Sequence, residues 1–274
     1  MGIAFMTANF VAKEINYSGK QLLEEWGKCH EITAKNFHGP DFKGKFESLI
    51  ADIRKLGFND IELWNAHFDP LLINESQLED AKEILNKYNM KVVALYADAF
   101  RDSNTTIEVG QLIFQTAKEL GANKIIQSGK PADEKLIIQL CEQYDMYFGI
   151  ENHPEKSSEE MIKMVKPFSP RIGACIDTGW FATQGCKPKE IVKELYGHML
   201  HIHLKDIQAA FEHETCTLGD GIVDIAGIIQ FLKEVDYQGT ISIEHEPIDY
   251  DPTDEIKNSL IRVNQWLDVE VSRS

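Results

Sequence analysis

Four short stretches in the second half of the chain decide how it folds: YFGIENH (Tyr147–His153), RIGACID (Arg171–Asp177), LHIHLKD (Leu200–Asp206) and ISIEHEP (Ile241–Pro247). Each is an apolar, β-rich run of strand length that ends in acidic or imidazole side chains. Longer amphipathic segments separate them, which is the spacing of βαβ units in a parallel sheet. Glu151, Asp177, His203 and Glu244 stand at equivalent heights near the carboxyl ends of these runs. If the runs are successive strands of a barrel, the four side chains meet at one point on its C-terminal face, where such barrels keep their active sites.

The same alternation extends toward both termini. Strand-like runs at Ile3–Asn9, Asp60–Trp64, Lys91–Asp98 and Lys124–Ser128 precede those at Tyr147–Glu151, Arg171–Asp177, Leu200–Lys205 and Thr240–Glu246, making eight. Phe42–Leu56 places Phe46, Leu49, Ile50 and Ile53 at helical spacing, with Gly57 where a left-handed cap is wanted. Gln77–Tyr88, Thr106–Leu120, Asp133–Tyr144, Ser158–Val165, Pro188–Leu195, Ile225–Val235 and Asp254–Trp266 read as further helices. Eight strands alternating with eight helices predict an α/β fold, a single (β/α)8 TIM barrel over residues 1–274. An open doubly wound sheet rarely runs to eight strands, and no G-x-G-x-x-G fingerprint follows the first one. Segments of about 10–40 and 206–224 interrupt the repeat after strands one and seven, so both read as long loops over the barrel mouth. The first contains a helical piece, Gly19–His30.

Charge narrows the partners. Lys and Arg number 28 against 44 Asp and Glu, and 28 − 44 leaves −16. Such a surface repels nucleic acid and anionic membranes. No run approaches the ~20 apolar residues of a membrane span, and the start MGIAFMTANF has no basic signal-peptide region. Five dispersed cysteines without a C-x-x-C pair read as reduced thiols, so the expected location is cytoplasmic.

Three carboxylates and an imidazole cannot share a partly buried point without a compensating cation. A single divalent metal ion held by Glu151, Asp177, His203 and Glu244 supplies it. The oxygen-rich set favours Mn²⁺, with Mg²⁺, Co²⁺ and Zn²⁺ also compatible. Four ligands leave room for a substrate to chelate. His201 faces the same way as His203 but lies deeper, where it packs or hydrogen-bonds. Glu246 sits against Pro247 at the start of a loop, and His198, His213 and His245 have no comparable support.

At these residues the chain resembles the sugar phosphate isomerase/epimerase family of the xylose isomerase-like barrel superfamily. The matching strings are IELW (Ile61–Trp64), GIENH (Gly149–His153), CIDTGW (Cys175–Trp180), HIHLKD (His201–Asp206), LGDGIVD (Leu218–Asp224) and SIEHEP (Ser242–Pro247). The resemblance implies the same four metal ligands and a small sugar, ketose or keto-polyol substrate. It implies substrate contacts from Glu62, His153 and Lys205, and an apolar wall from Trp64 and Trp180. His67, just after IELW, joins this substrate set. A homo-oligomer is compatible with it. In one respect the chain departs from the family. Many relatives carry His three residues after the Asp of CIDTGW, where this chain has Trp180; in endonuclease IV-like enzymes that His helps hold a third metal. Glu212-His213-Glu214-Thr215-Cys216-Thr217 does not reproduce that metal's other ligands.

The implied chemistry is proton transfer next to a carbonyl, with Glu151 and Glu244 as catalytic bases on opposite sides of the ligand arc. Two bases acting on two faces give epimerisation; one base acting alone gives aldose–ketose isomerisation. The alternatives are an inosose-type dehydratase, an endonuclease IV-like phosphodiesterase and a non-catalytic sugar-binding barrel. The family name implies a sugar phosphate, but no phosphate cradle is visible, since neither a Gly-rich loop opening a helix nor an Arg cluster occurs, so an unphosphorylated ketose, keto-polyol or hydroxy-keto acid fits as well as a phosphorylated one.

Overall fold

The β-branched and aromatic runs become strands because both of their faces are buried, and the amphipathic segments between them become helices that cover the outside. The computed structural model describes residues 1–166 and 170–268. The expected domain span of 1–274 therefore includes 167–169 and 269–274, which lie outside the described residues. Among the described residues, eight parallel strands close a barrel: β1 (Gly2–Met6), β2 (Asp60–Leu63), β3 (Lys91–Tyr96), β4 (Lys124–Ser128), β5 (Tyr147–Glu151), β6 (Ile172–Asp177), β7 (Met199–Leu204) and β10 (Thr240–Ile243). The ring closes where β1 pairs with β10. A two-stranded hairpin, β8 (Asp206–Ile207) and β9 (Thr215–Cys216), lies outside the ring.

The outer layer follows the sequence periodicity. Helix α2 (Phe42–Leu56) buries Phe42, Phe46, Leu49, Ile50 and Ile53, and stops at Gly57 with φ of +104°. At ~1.5–3 kcal/mol per fully buried large apolar side chain, this face outweighs any helix propensity. Helix α3 (Glu75–Lys87) opens with a reciprocal capping box between Asn74 and Gln77. Helix α6 (Ser158–Val165) is capped by Ser157, one residue before the expected start. The main core lies between barrel and helices.

Several boundaries differ from the sequence reading. β1, β2, β3, β7 and β10 end one to three residues earlier than expected. The residues beyond them leave the ladder to form the site. A short helix, α7 (Thr178–Thr183), begins directly after β6 and was not expected. The segment after β1 carries 3-10 turns at Thr7–Phe10 and Lys13–Ile15, then α1 (Leu22–Phe37), longer than the anticipated piece. The 206–224 loop is pinned from below. Buried Asp206 accepts backbone N–H bonds from Ile207, Gly219, Gly221 and Val223. Gly219 is left-handed and a side chain at Gly221 would strike Asp206, which explains both glycines of LGDG. No described helix is long and apolar enough to cross a membrane.

Candidate metal and substrate site

Polar side chains just past the strand ends fasten one strand end to the next, and two of them directly follow a candidate ligand. Asn152, after Glu151, donates to the Asp177 carbonyl (3.0 Å) and accepts from the Asp177 N–H (2.8 Å). Thr178, after Asp177, donates to the Lys205 carbonyl (2.7 Å) and accepts from its N–H (2.9 Å). Asn9 donates to the Ile243 carbonyl (3.0 Å) and accepts from the His245 N–H (2.7 Å), bracketing Glu244. These buried side chains continue the ladder one residue past the strands and hold the ligand-bearing positions in register.

Those clamps bring Glu151, Asp177, His203 and Glu244 together, each buried, with one donor atom apiece inside a 4.8 Å cluster. His203 Nδ1 lies 2.6 Å from Glu151 Oε1 and 2.8 Å from Glu244 Oε2. Neither contact has hydrogen-bond geometry: His203 Nδ1 and Glu244 Oε2 are buried without a hydrogen-bond partner. The atoms aim at a shared point rather than at each other, as ligand atoms around a cation do. The opposite edge of the ring, His203 Nε2, faces Glu62 at 3.0 Å. A carboxylate only accepts, so Nε2 carries the proton and Nδ1 keeps its lone pair.

Electrostatics favour positive charge at the same point. Burial pushes the Asp177 carboxyl up to about 6, and the Lys205 ammonium offsets part of the rise while the Glu244 and Glu151 carboxylates add to it. Burial opposes a charged His203, yet Cys175, Glu62, Glu244 and Glu151 raise it well above the imidazole range. Without a metal, the imidazole is the group that collects the balancing proton. An oxygen-rich set with one neutral imidazole fits a divalent ion, and Glu151, Asp177, His203 and Glu244 are the residues that could hold it.

Each glutamate keeps its second oxygen on a proton-bearing group. Glu151 Oε2 accepts from the Tyr96 hydroxyl (2.8 Å), and Glu244 Oε1 from the Lys205 ammonium (2.8 Å). Lys205 Nζ also contacts Asp177 Oδ2 (3.2 Å) and Glu246 Oε2 (2.8 Å). Burial alone would raise Glu244, but Lys205 and His203 outweigh it and hold the carboxyl far below its usual range. Burial lifts Glu246 to about 8 despite Lys205.

The cluster opens into a cavity of about 570 Å³. One wall is Trp26, His30 and Trp64, with His30 and Trp64 rings 4.9 Å apart. The other is His153, Trp180 and His213, with ring spacings of 4.6 and 5.0 Å. Trp64, His153, Trp180 and Lys205 therefore line the cavity with Glu151 and Glu244, while Asp177 and His203 lie beneath its surface. Thr7, just past β1, accepts the Trp64 N–H (2.8 Å) and sets that indole.

Two expected substrate contacts lie elsewhere. Glu62 faces inward but one layer too deep. It is fully buried, accepting from Ser242 (2.7 Å), His201 (2.8 Å) and His203, and does not line the cavity. His201 accordingly hydrogen-bonds inside, as its depth indicated. His67 turns away behind Trp64, its ring 4.6 Å from Phe37, beside a separate small pocket. Burial drives its pKa down to about 3, so it stays neutral. Conversely, Glu246 and His213, which the sequence reading set aside, line the cavity, as does Tyr96, which it did not single out; the clamps were not singled out either. The available signal was an Asn or Thr directly after a ligand, in GIENH and CIDTGW.

A model of the xylose isomerase-like TIM barrel family matches residues 50–266. The chain belongs to that family. Protein MJ1311 of Methanocaldococcus jannaschii is 30% identical over 122 residues, 41% of each chain, so the match spans about two fifths of that relative. An inosose dehydratase of Clostridium botulinum is 23% identical over 244 residues, 79% of this chain and 80% of its own. Among solved structures, the probable 3-DHS dehydratase AsbF of Bacillus anthracis superposes with a TM-score of 0.70 (17% identity, 96% of this chain and 99% of that one). A D-tagatose 3-epimerase-like protein gives 0.65 (19%, 97% and 99%), and IOLI protein with a bound zinc atom gives 0.68 (16%, 99% and 100%). The proteins that share this barrel thus carry both epimerase-like and dehydratase names.

Proposed function

We propose that the chain is a divalent-metal-dependent isomerase or epimerase of a small sugar, ketose or keto-polyol, moving a proton on the carbon beside a carbonyl. One observation carries the reading. Two glutamates on different strands each aim one oxygen at the ligand cluster and rest the other on a proton-bearing group, Tyr96 or Lys205. When bound, the metal, with Mn²⁺ the best match, supplies Lewis acidity that acidifies the proton to be moved. Glu151 and Glu244 take up and return that proton. Tyr96 and Lys205 hold the two carboxylates in place and set their basicity. Trp64 and Trp180 cover the C–H faces of the substrate and exclude water, while His153 meets its hydroxyls. A cytoplasmic setting suits the reduced thiols.

The second reading is dehydration of a keto-polyol. His153 and Lys205 stand in the same cavity as acids for a departing hydroxide, and the inosose dehydratase match supports it. Incubation of the Mn²⁺-loaded protein with ketoses and inososes in D₂O separates the two. Isomerase or epimerase action places deuterium beside the carbonyl without change of composition, whereas dehydration removes one water. Tight binding with neither change overturns both.

A further inference from the structure

Two side chains with permanent positive charge line the cavity, and they are not equivalent. Lys205 is consumed by Asp177, Glu244 and Glu246. Arg101, at the end of the short 3-10 helix Ala99–Arg101 after β3, has one hydrogen bond, from Nη1 to Ser128 Oγ (3.1 Å), and no ion pair among the described residues. Ser128 Oγ donates its O–H to Asp98 Oδ1 (3.3 Å), so its lone pair faces the guanidinium. Most of the five guanidinium N–H donors are uncommitted.

The position relates Arg101 to the reacting end. Ser128 pairs with Glu151 in the β4–β5 ladder, and Tyr96, which holds Glu151, belongs to the strand leading into Arg101. Backbones two strands apart are about 10 Å from each other. Since Arg101 and Glu151 border one cavity, a single small molecule can touch both.

Resting on the function proposed above, we infer that Arg101 anchors a carboxylate of the substrate, which makes that substrate a hydroxy-keto acid. A guanidinium fork matches the two oxygens of a carboxylate. A phosphate dianion suits the place less well. No second unspent cation lines the cavity among the described residues, and the Glu31 and Asp98 carboxyls share its lining.

The test is calorimetric binding to the Mn²⁺-loaded chain. The probes are D-fructuronate and D-tagaturonate, the neutral ketoses D-fructose and D-tagatose, and D-fructose 6-phosphate. At least one uronate is expected to bind about tenfold more tightly than its neutral partner and more tightly than the phosphate. Arg101→Met brings the uronates down to the level of the neutral ketoses, and Arg101→Lys restores part of the difference. The exposed position of Arg101 keeps both variants folded, which circular dichroism checks. Equal binding of uronate and ketose, preference for the phosphate, a preference that survives in Arg101→Met, or no binding by any probe overturns the assignment. Deuterium exchange in the same samples keeps the two proposals apart. Exchange without uronate preference removes only the Arg101 role, and uronate preference without exchange removes only proton transfer.

Discussion

Glu151→Gln and Glu244→Gln each lower solvent-deuterium exchange at the substrate by about a thousandfold or more, measured at saturating Mn²⁺. The amide keeps the size and nearly the shape of the carboxyl group. It cannot accept a proton at this acidity, and it brings no charge to a cluster whose balance depends on three carboxylates and one imidazole. The two variants differ in what else they disturb. Glu244→Gln also loosens Lys205, which keeps Asp177 and Glu246 as partners. Glu151→Gln removes the carboxylate that accepts from the buried Tyr96 hydroxyl. Both chains stay folded, because the strand-end clamps run through Asn9, Asn152 and Thr178 rather than through the glutamates. Wild-type exchange in both variants would remove them from the chemistry.

The second large effect falls on a residue outside the cavity. Glu62→Gln lowers the unfolding free energy by about 3 kcal/mol in urea titrations, the order expected when one member of a buried charged network is removed. Its carboxylate accepts from Ser242, His201 and His203. Burial alone would raise the carboxyl, but His203 and His201 hold it well below the usual range, so it is ionised in the fold. An amide in its place must turn one N–H toward donors. The His203 ring then loses the partner that fixes its Nε2 proton, and Mn²⁺ affinity falls about 10- to 100-fold. Unchanged metal affinity in a destabilised Glu62→Gln chain would show that Glu62 supports the barrel without orienting His203.

The barrel was readable because parallel strands buried on both faces leave continuous apolar runs, and the helices between them show a 3.6-residue period. The ligand cluster was readable for a related reason. A charged side chain at the end of a buried strand needs a partner, and four such strands share one. Depth was readable only within one strand, where His201 lies two residues below His203. Alternation shows that Glu62 faces inward, but its layer relative to the other strands depends on their stagger, which only the closed ring sets. Loop paths were not readable either. The turn that carries His67 bonds back to the Trp64 carbonyl and takes the imidazole behind the indole wall. His213 reaches the cavity because the β8–β9 hairpin folds over it. Lys205 was read only as a substrate contact, and the three carboxylates that engage it come from β6 and the segment after β10. Arg101 was overlooked because it follows a strand end by five residues, with no pattern around it.

The central claim is that Glu151, Asp177, His203 and Glu244 hold one divalent ion. Electron paramagnetic resonance titration of Mn²⁺ into the chelator-stripped chain tests it most directly. The account predicts one tight site per chain, abolished by Asp177→Asn. Saturation at no ion or at several ions per chain, or an undiminished site in Asp177→Asn, would contradict it.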